Sequence, residues 1–372
     1  NCEPSVVSIA RVARRAGQPP LPANPFGMLD PREEARRNRN NPASPDFLPS
    51  DYGAGVILAP ADQPGTRYLL TNYHVVRGGP VTGQPNADAT SRLFVWLSSG
   101  HSFEAAIKAA DPRSDLAVLE IDFEQLKLRP QQLKPLKFAD PLRIRKGQLV
   151  VALGNPSAIA RDGSASAAWG MIANLARKPA PPDQPDSFTL PATETLHDTG
   201  TLIQVDMKLN LGTSGGALIN LRGEFVGLTT SLAALAGYDA SSGFAIPADQ
   251  RFRRVFETLA RGQEVEYGFL GVSPDDLSPL EVVQAQLPMA QPSATRLSTV
   301  FQNSPANRGG LRFRDIVLSV NGETVLNRRD LMREVSLLGP DAIANLRVLR
   351  QEGGQFRQFN VPIKLGKWPV QN

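Results

Sequence analysis

Cysteine, histidine and aromatic residues are scarce in this 372-residue chain, and each scarcity excludes something. A single cysteine, Cys2, rules out an intrachain disulfide; it is either a plain free thiol, the reading favoured, or the remnant of a lipid-anchored N-terminus. Trp and Tyr number only 3 and 5 and are not interleaved with basic residues, while Lys plus Arg exceed Asp plus Glu by just 40 to 36. The basic stripe with stacking aromatics that a nucleic-acid binder needs is therefore missing. No run of about 18 apolar residues occurs, which excludes a membrane-spanning helix within the given chain. The chain does not begin with Met and opens almost directly on an apolar run, so it reads as trimmed, and the absence of a targeting segment is uninformative. Histidine is the most telling shortage, because only His74, His101 and His197 are available as bases.

What remains is ordinary globular material, 41% hydrophobic and 20% charged, long enough for two or three domains. One stretch stands out: Asn210-Leu211-Gly212-Thr213-Ser214-Gly215-Gly216-Ala217-Leu218. A serine with glycines on both sides suits neither helix nor strand, but it suits a tight turn that presents a hydroxyl and bare backbone N–H groups. By itself this reads first as a Gly/Ser turn between two strands. Partners for the serine decide between the two readings.

All three histidines precede Ser214, which excludes the α/β-hydrolase order of serine, acid, histidine. The order left open is histidine, aspartate, serine. His74 lies in Thr71-Asn72-Tyr73-His74-Val75-Val76, just past an expected strand end. Asp115 lies in Ser114-Asp115-Leu116-Ala117-Val118-Leu119, after the turn-forming Asp111-Pro112, with Asp111 as its nearest competitor. His101, next to Gly100, reads as an exposed turn residue, and His197 and the Asp198-Thr199-Gly200 triplet read as a loop.

These three boxes, TNYHVV, SDLAVL and GTSGGAL in that order, resemble the HtrA/Deg family of trypsin-like serine proteases. Pro4-Ser5-Val6-Val7-Ser8-Ile9 is similar to the run that opens the family's first barrel, and Ser241-Ser242-Gly243-Phe244-Ala245-Ile246-Pro247 to the run that closes its protease domain. The turn Gly154-Asn155-Pro156-Ser157 resembles the one that opens the second barrel, without its usual aromatic. Further on, Tyr267-Gly268-Phe269-Leu270-Gly271-Val272, Ser304-Pro305-Ala306 and Asp315-Ile316 to Asn321-Gly322 are similar to a PDZ domain of the HtrA type, with Arg314 where the family has glycine.

The resemblance implies a mainly β chain: a chymotrypsin-like double β-barrel over residues 1–262, then a small α+β PDZ domain over 263–372. Composition adds long polar, Pro-rich loops at about 14–50 and 178–191. A helix is expected from Pro247 to about Ala260, with Gly262 past its end.

For the site, the resemblance implies His74 as general base, Asp115 as its orienting acid and Ser214 as nucleophile, with backbone amides of Gly212, Thr213 and Ser214 facing the oxyanion. Lys208 and Asn210 fall at the primary specificity pocket; Lys208 either points inward and favours acidic residues or snorkels outward and leaves a preference for small aliphatic ones, the second being the favoured reading. In the PDZ region, Phe269, Leu270, Gly271 and Val272 are implied to bind a peptide C-terminus, while Leu331 and Val335 either line that groove or pack the core.

No metal or other cofactor is implied. The function implied is an ATP-independent endopeptidase of protein quality control in the cell envelope, a homotrimer acting on unfolded proteins, with membrane anchoring only through a missing N-terminus. The competing reading is a peptide-binding or holdase protein whose triad seldom turns over, on the strength of the departures at Ser157, Arg314 and Lys208.

Overall fold

A computed structural model describes residues 2–12, 51–77, 91–155, 163–177, 201–230, 242–287 and 291–368. The loops expected at 14–50 and 178–191, together with Ser157, His197 and the 198–200 triplet, lie outside the described residues. Contacts divide the chain into two units, Asn1–Glu264 and Val265–Asn372.

The first unit is built from short aliphatic strands, the residues that fit a pleated, half-buried surface. Strands β1 (Val6–Val12), β2 (Asp51–Leu58), β3 (Tyr68–Asn72), β4 (Arg92–Leu97), β5 (Ser102–Asp111) and β6 (Leu116–Glu120) close into a barrel in the order β1-β2-β3-β6-β5-β4. Strands β7 (Leu149–Gly154), β8 (Ser166–Arg177), β9 (Leu202–Val205), β10 (Ala217–Asn220), β11 (Phe225–Thr230) and β12 (Gly243–Pro247) repeat that connectivity as β7-β8-β9-β12-β11-β10. Closure leaves neither sheet an unpaired edge. Each barrel has its own core, Ile9, Ile57, Leu69, Val95, Phe103 and Leu119 in the first and Val150, Ile172, Val205, Leu218 and Val226 in the second. The expected double β-barrel is what the chain forms.

Between β3 and β4 lies the one-turn helix α1 (Tyr73–Arg77), and after the second barrel comes α2 (Gln250–Ala260). The sequence places the start of α2 at Pro247, but Pro247 is the last residue of β12, paired with Gly227. The helix starts later because the Asp249 carboxylate caps it, accepting from Arg251 N and Phe252 N at 3.0 Å.

The second unit is the α+β domain. Strands β13 (Gly268–Phe269), β14 (Val272–Asp276), β15 (Thr295–Val300), β16 (Ile316–Val320), β17 (Glu323–Thr324), β18 (Ile343–Glu352), β19 (Gln355–Lys364) and β20 (Gly366–Lys367) form a sheet ordered β14-β15-β16-β18-β19, with β17 on β16 and a separate β13-β20 pair. The Asn321-Gly322 dipeptide makes the two-residue hairpin between β16 and β17, both residues at positive φ. Helix α3 (Arg328–Leu337) covers the core. Arg314 takes up φ +68° where the resemblance leads one to expect glycine, and its guanidinium lies 5.3 Å from the Phe313 ring. The turn therefore forms without glycine, at a cost of about 1–2 kcal/mol in backbone strain.

Candidate active site

Strand β3 ends at Asn72, and the chain turns directly into α1, so His74 is carried at the rim of the first barrel. Asp115 precedes β6, which pairs with β3. It sits at φ +53°, a left-handed conformation that Asp tolerates better than most side chains, and is only 3% exposed. Its carboxylate is surrounded by donors: His74 Nδ1 at 3.0 and 2.9 Å from the two oxygens, His74 N at 3.0 Å and Asn72 Nδ2 at 3.0 Å. The Asp115 carbonyl accepts from Tyr73 N and from Asn72 Nδ2 as well. A buried carboxylate held by this many donors fixes the imidazole by its Nδ1 side. His74 Nε2, the other ring nitrogen, is buried and has no hydrogen-bond partner among the described residues.

Asp111, the competing acid, instead accepts from Ser114 N at 3.1 Å and braces the turn ahead of Asp115. His101 is exposed and shares a hydrogen bond with Ser99.

Ser214 comes from the second barrel, in the turn before β10, and is 2% exposed. Asn210 to Thr213 form a type II turn: Thr213 N donates to Asn210 O at 3.1 Å, and Gly212 takes the positive φ that this turn demands, +94°. A Cβ at Gly212 would meet Asn155 O at 2.3 Å and the Tyr52 ring at 2.8 Å, so the approach requires glycine. Of the three candidate oxyanion amides, Thr213 N–H is thus engaged within the turn. The turn is joined to the first barrel by Ala54 N, which donates to Ser214 O at 2.7 Å. Gly53 shows how tight the junction is, since a Cβ there would lie 2.8 Å from Val75, the residue after His74, and 3.0 Å from Ser214 O.

The stretch expected at the specificity pocket alternates between buried and exposed side chains. Met207 and Leu209 are buried in the second barrel's core cluster, whereas Lys208 and Asn210 are exposed. In the second unit, Leu331 and Val335 are buried with Leu270 in one core cluster, and Phe269 and Val272 are half-buried. The loop between β13 and β14 is held by its carbonyls, Leu270 O accepting from Ala306 N at 2.9 Å and Gly271 O from Phe301 N at 3.1 Å. Because a trans peptide directs C=O and N–H oppositely, the Gly271 and Val272 amides face the other way. Among the described residues β14 pairs only with β15, which leaves its outer edge for an added strand.

Asn72 is the member of this arrangement that sequence reasoning did not single out. It lies inside the TNYHVV box, but its partner is 43 residues away, and no local pattern announces that contact.

Comparison with known proteins bears on the two domains. Residues 53–228 match the trypsin-like peptidase domain and residues 268–363 match the PDZ domain. The chain is 31% identical over 313 residues to the periplasmic serine endoprotease DegP of Escherichia coli K12, covering 84% of this chain and 56% of that protein. It is 30% identical over 301 residues to a probable periplasmic serine protease do/HhoA-like of Haemophilus influenzae, covering 80% and 55%. The chain thus spans little more than half the length of these relatives. Among solved structures it resembles the HtrA-type protease AlgW with tripeptide, at TM-score 0.65 and 24% identity over 100% of this chain and 96% of that one. The serine endoprotease from Yersinia pestis is similar at TM-score 0.58 and 22% identity, over 99% and 96%. The chain thus carries a trypsin-like peptidase domain followed by a PDZ domain and is similar to serine proteases of the HtrA type.

Proposed function

We propose that this chain is a serine endopeptidase that cleaves unfolded proteins outside the cytoplasm, with His74, Asp115 and Ser214 as its triad. The observation that carries the reading is the Asp115–His74 pair, which secures the imidazole through Nδ1 and leaves Nε2 without a partner among the described residues at the rim where the Ser214 turn docks. Neutral His74 accepts the Ser214 hydroxyl proton at Nε2 as the oxygen attacks a peptide carbonyl, then gives it to the leaving amine; water hydrolyses the acyl-enzyme by the same exchange. Gly212 N–H and Ser214 N–H stabilise the oxyanion, each worth about 10²–10³ in rate. Lys208 is exposed between the buried Met207 and Leu209, which supports an apolar pocket that takes small aliphatic residues rather than acidic ones.

The PDZ unit binds peptide C-termini, with the carboxylate on the Gly271 and Val272 amides and the peptide added beside β14. Copies of the chain meet through the outer face of the second barrel. There Leu149 pairs with Met171 and Val151 with Trp169, and Trp169 and Leu221 are 76% and 72% exposed. An apolar patch of this kind on a barrel wall is an association surface. A trimer that falls to monomer with Trp169→Glu in sedimentation supports this, and a parent chain that is monomeric at micromolar concentration refutes it.

The test of the activity is cleavage of reduced casein by the parent and by Ser214→Ala, with the fragment ends read by mass spectrometry. Loss of cleavage in the variant, and ends at small aliphatic residues, are expected. Equal cleavage by both proteins rejects the triad. No cleavage by either, with retained binding of C-terminal peptides, establishes the binding-protein reading instead.

A further inference from the structure

The hydrogen bonds that hold the nucleophile turn from behind converge on one buried residue that has no part in the triad or the oxyanion donors. Thr229, in β11, is fully buried. Its N–H donates to Gly216 O and its C=O accepts from Gly215 N, both at 2.9 Å. Any residue but proline makes those two bonds there. The hydroxyl is what threonine adds, and it donates to Thr213 O, which also accepts from Gly216 N at 3.0 Å.

A trans peptide carries its C=O and N–H on opposite sides. Fixing the Thr213 carbonyl toward β11 therefore turns the Ser214 N–H away from β11. Valine would serve the strand and its packing as well, so a fully buried hydroxyl at this position is explained by the bond it makes.

We propose that Thr229 is a positioning residue, whose hydroxyl fixes the Thr213–Ser214 peptide plane so that Ser214 N–H is presented to the developing oxyanion. The proposal rests on the endopeptidase reading above. Thr229 acts only through the Ser214 amide and never touches the substrate. Because Gly216 N remains on Thr213 O when the hydroxyl is removed, the donor is loosened rather than lost.

The decisive variant is Thr229→Val, which keeps the volume and removes the donor. Its kcat on a peptide ending in a small aliphatic residue falls about 10- to 100-fold, less than for a deleted oxyanion donor. KM stays within about twofold, and the affinity for a peptide boronate, which forms a tetrahedral adduct on Ser214, falls in parallel with kcat/KM. Thr229→Ser, with the hydroxyl restored, recovers kcat and boronate affinity. Parental kcat and boronate affinity in a folded Thr229→Val overturn the proposal, and so does a loss confined to KM. If Thr229→Val does not fold, Thr229→Ser and Thr229→Ala are compared, and equal kcat in those two overturns it. A parent protein without Ser214-dependent turnover is a different outcome, which removes the endopeptidase reading and this proposal with it.

Discussion

Replacing Asp115 by asparagine separates the catalytic contribution of the triad from its structural one. The carboxylate faces donors on every side: His74 Nδ1 contacts both oxygens, His74 N contacts Oδ1, and Asn72 Nδ2 contacts Oδ2. An asparagine amide has one oxygen and one NH2, so in either flip the NH2 faces at least one donor. The resulting mismatch costs about 1–3 kcal/mol in stability. The left-handed φ of +53° is no obstacle, since Asn adopts it as readily as Asp.

The catalytic cost is larger. To escape the clash the imidazole moves its proton to Nε2, which removes the lone pair that must accept the Ser214 proton. A loss of about 10⁴ in kcat follows, about 5.5 kcal/mol in barrier. The assay is turnover of a peptide substrate, with thermal unfolding measured alongside. Asp111→Asn is the control: it loosens the turn ahead of Asp115 but leaves His74 paired, so kcat stays within a few-fold. If Asp115→Asn retains more than about a tenth of parental kcat while folded, Asp115 does not orient the base and the triad assignment fails.

Gly212→Ala places a Cβ 2.3 Å from Asn155 O at φ +94°, so the type II turn has to give way and kcat is expected to fall about 10²–10³-fold with the barrels intact by circular dichroism. Arg350→Met removes the cation from the Asp315 carboxylate, whose side chain is wholly buried and bound by Arg350 Nε and Nη2 at 2.7 Å, and leaves it the Arg312 N–H at 2.8 Å. The loss of about 3 kcal/mol lowers the melting of the second unit by roughly 15 °C in calorimetry and leaves casein cleavage by the first unit largely in place. Glu281 titrates below the usual carboxylate range, chiefly because Ser278 N–H donates to it, with Ser278 Oγ–H and Arg296 adding to the effect. A folded-state pKa that is depressed contributes stability above the unfolded value of about 4.3 and loses it as pH falls through the folded value. Glu281→Gln is therefore expected to flatten the acid limb of the second unit's stability curve, and an unchanged limb rejects the assignment.

The candidate site was legible in the sequence where scarcity narrowed the choices. Three histidines, all ahead of the glycine-flanked serine, left one order open for a triad, and the two barrels were implied by the resemblance of runs such as Pro4 to Ile9 and Ser241 to Pro247. Orientation was less legible. Lys208 had two readings because no periodic strand passes through it, and the structure exposes it only because Met207 and Leu209 on either side belong to the core. Leu331 and Val335 share one helical face whether that face meets a peptide or a core, and here they are buried with Leu270 and Leu297. The start of α2 was misjudged at Pro247 because proline favours a first helical turn, whereas the nearby Asp249 carboxylate captures the free N–H groups and Pro247 completes a strand.

What the sequence conceals altogether is the group of side chains that reach across it. Asn72 meets Asp115 over 43 positions, and Thr229 meets Thr213 over 16, through a strand that reads as plain core. Barrel closure sets both contacts, because each depends on which strand ends adjoin, and that is a property of the order β1-β2-β3-β6-β5-β4 and its repeat. A triad can be named from its boxes, but the residues that hold its atoms in line are found only after the sheet is closed.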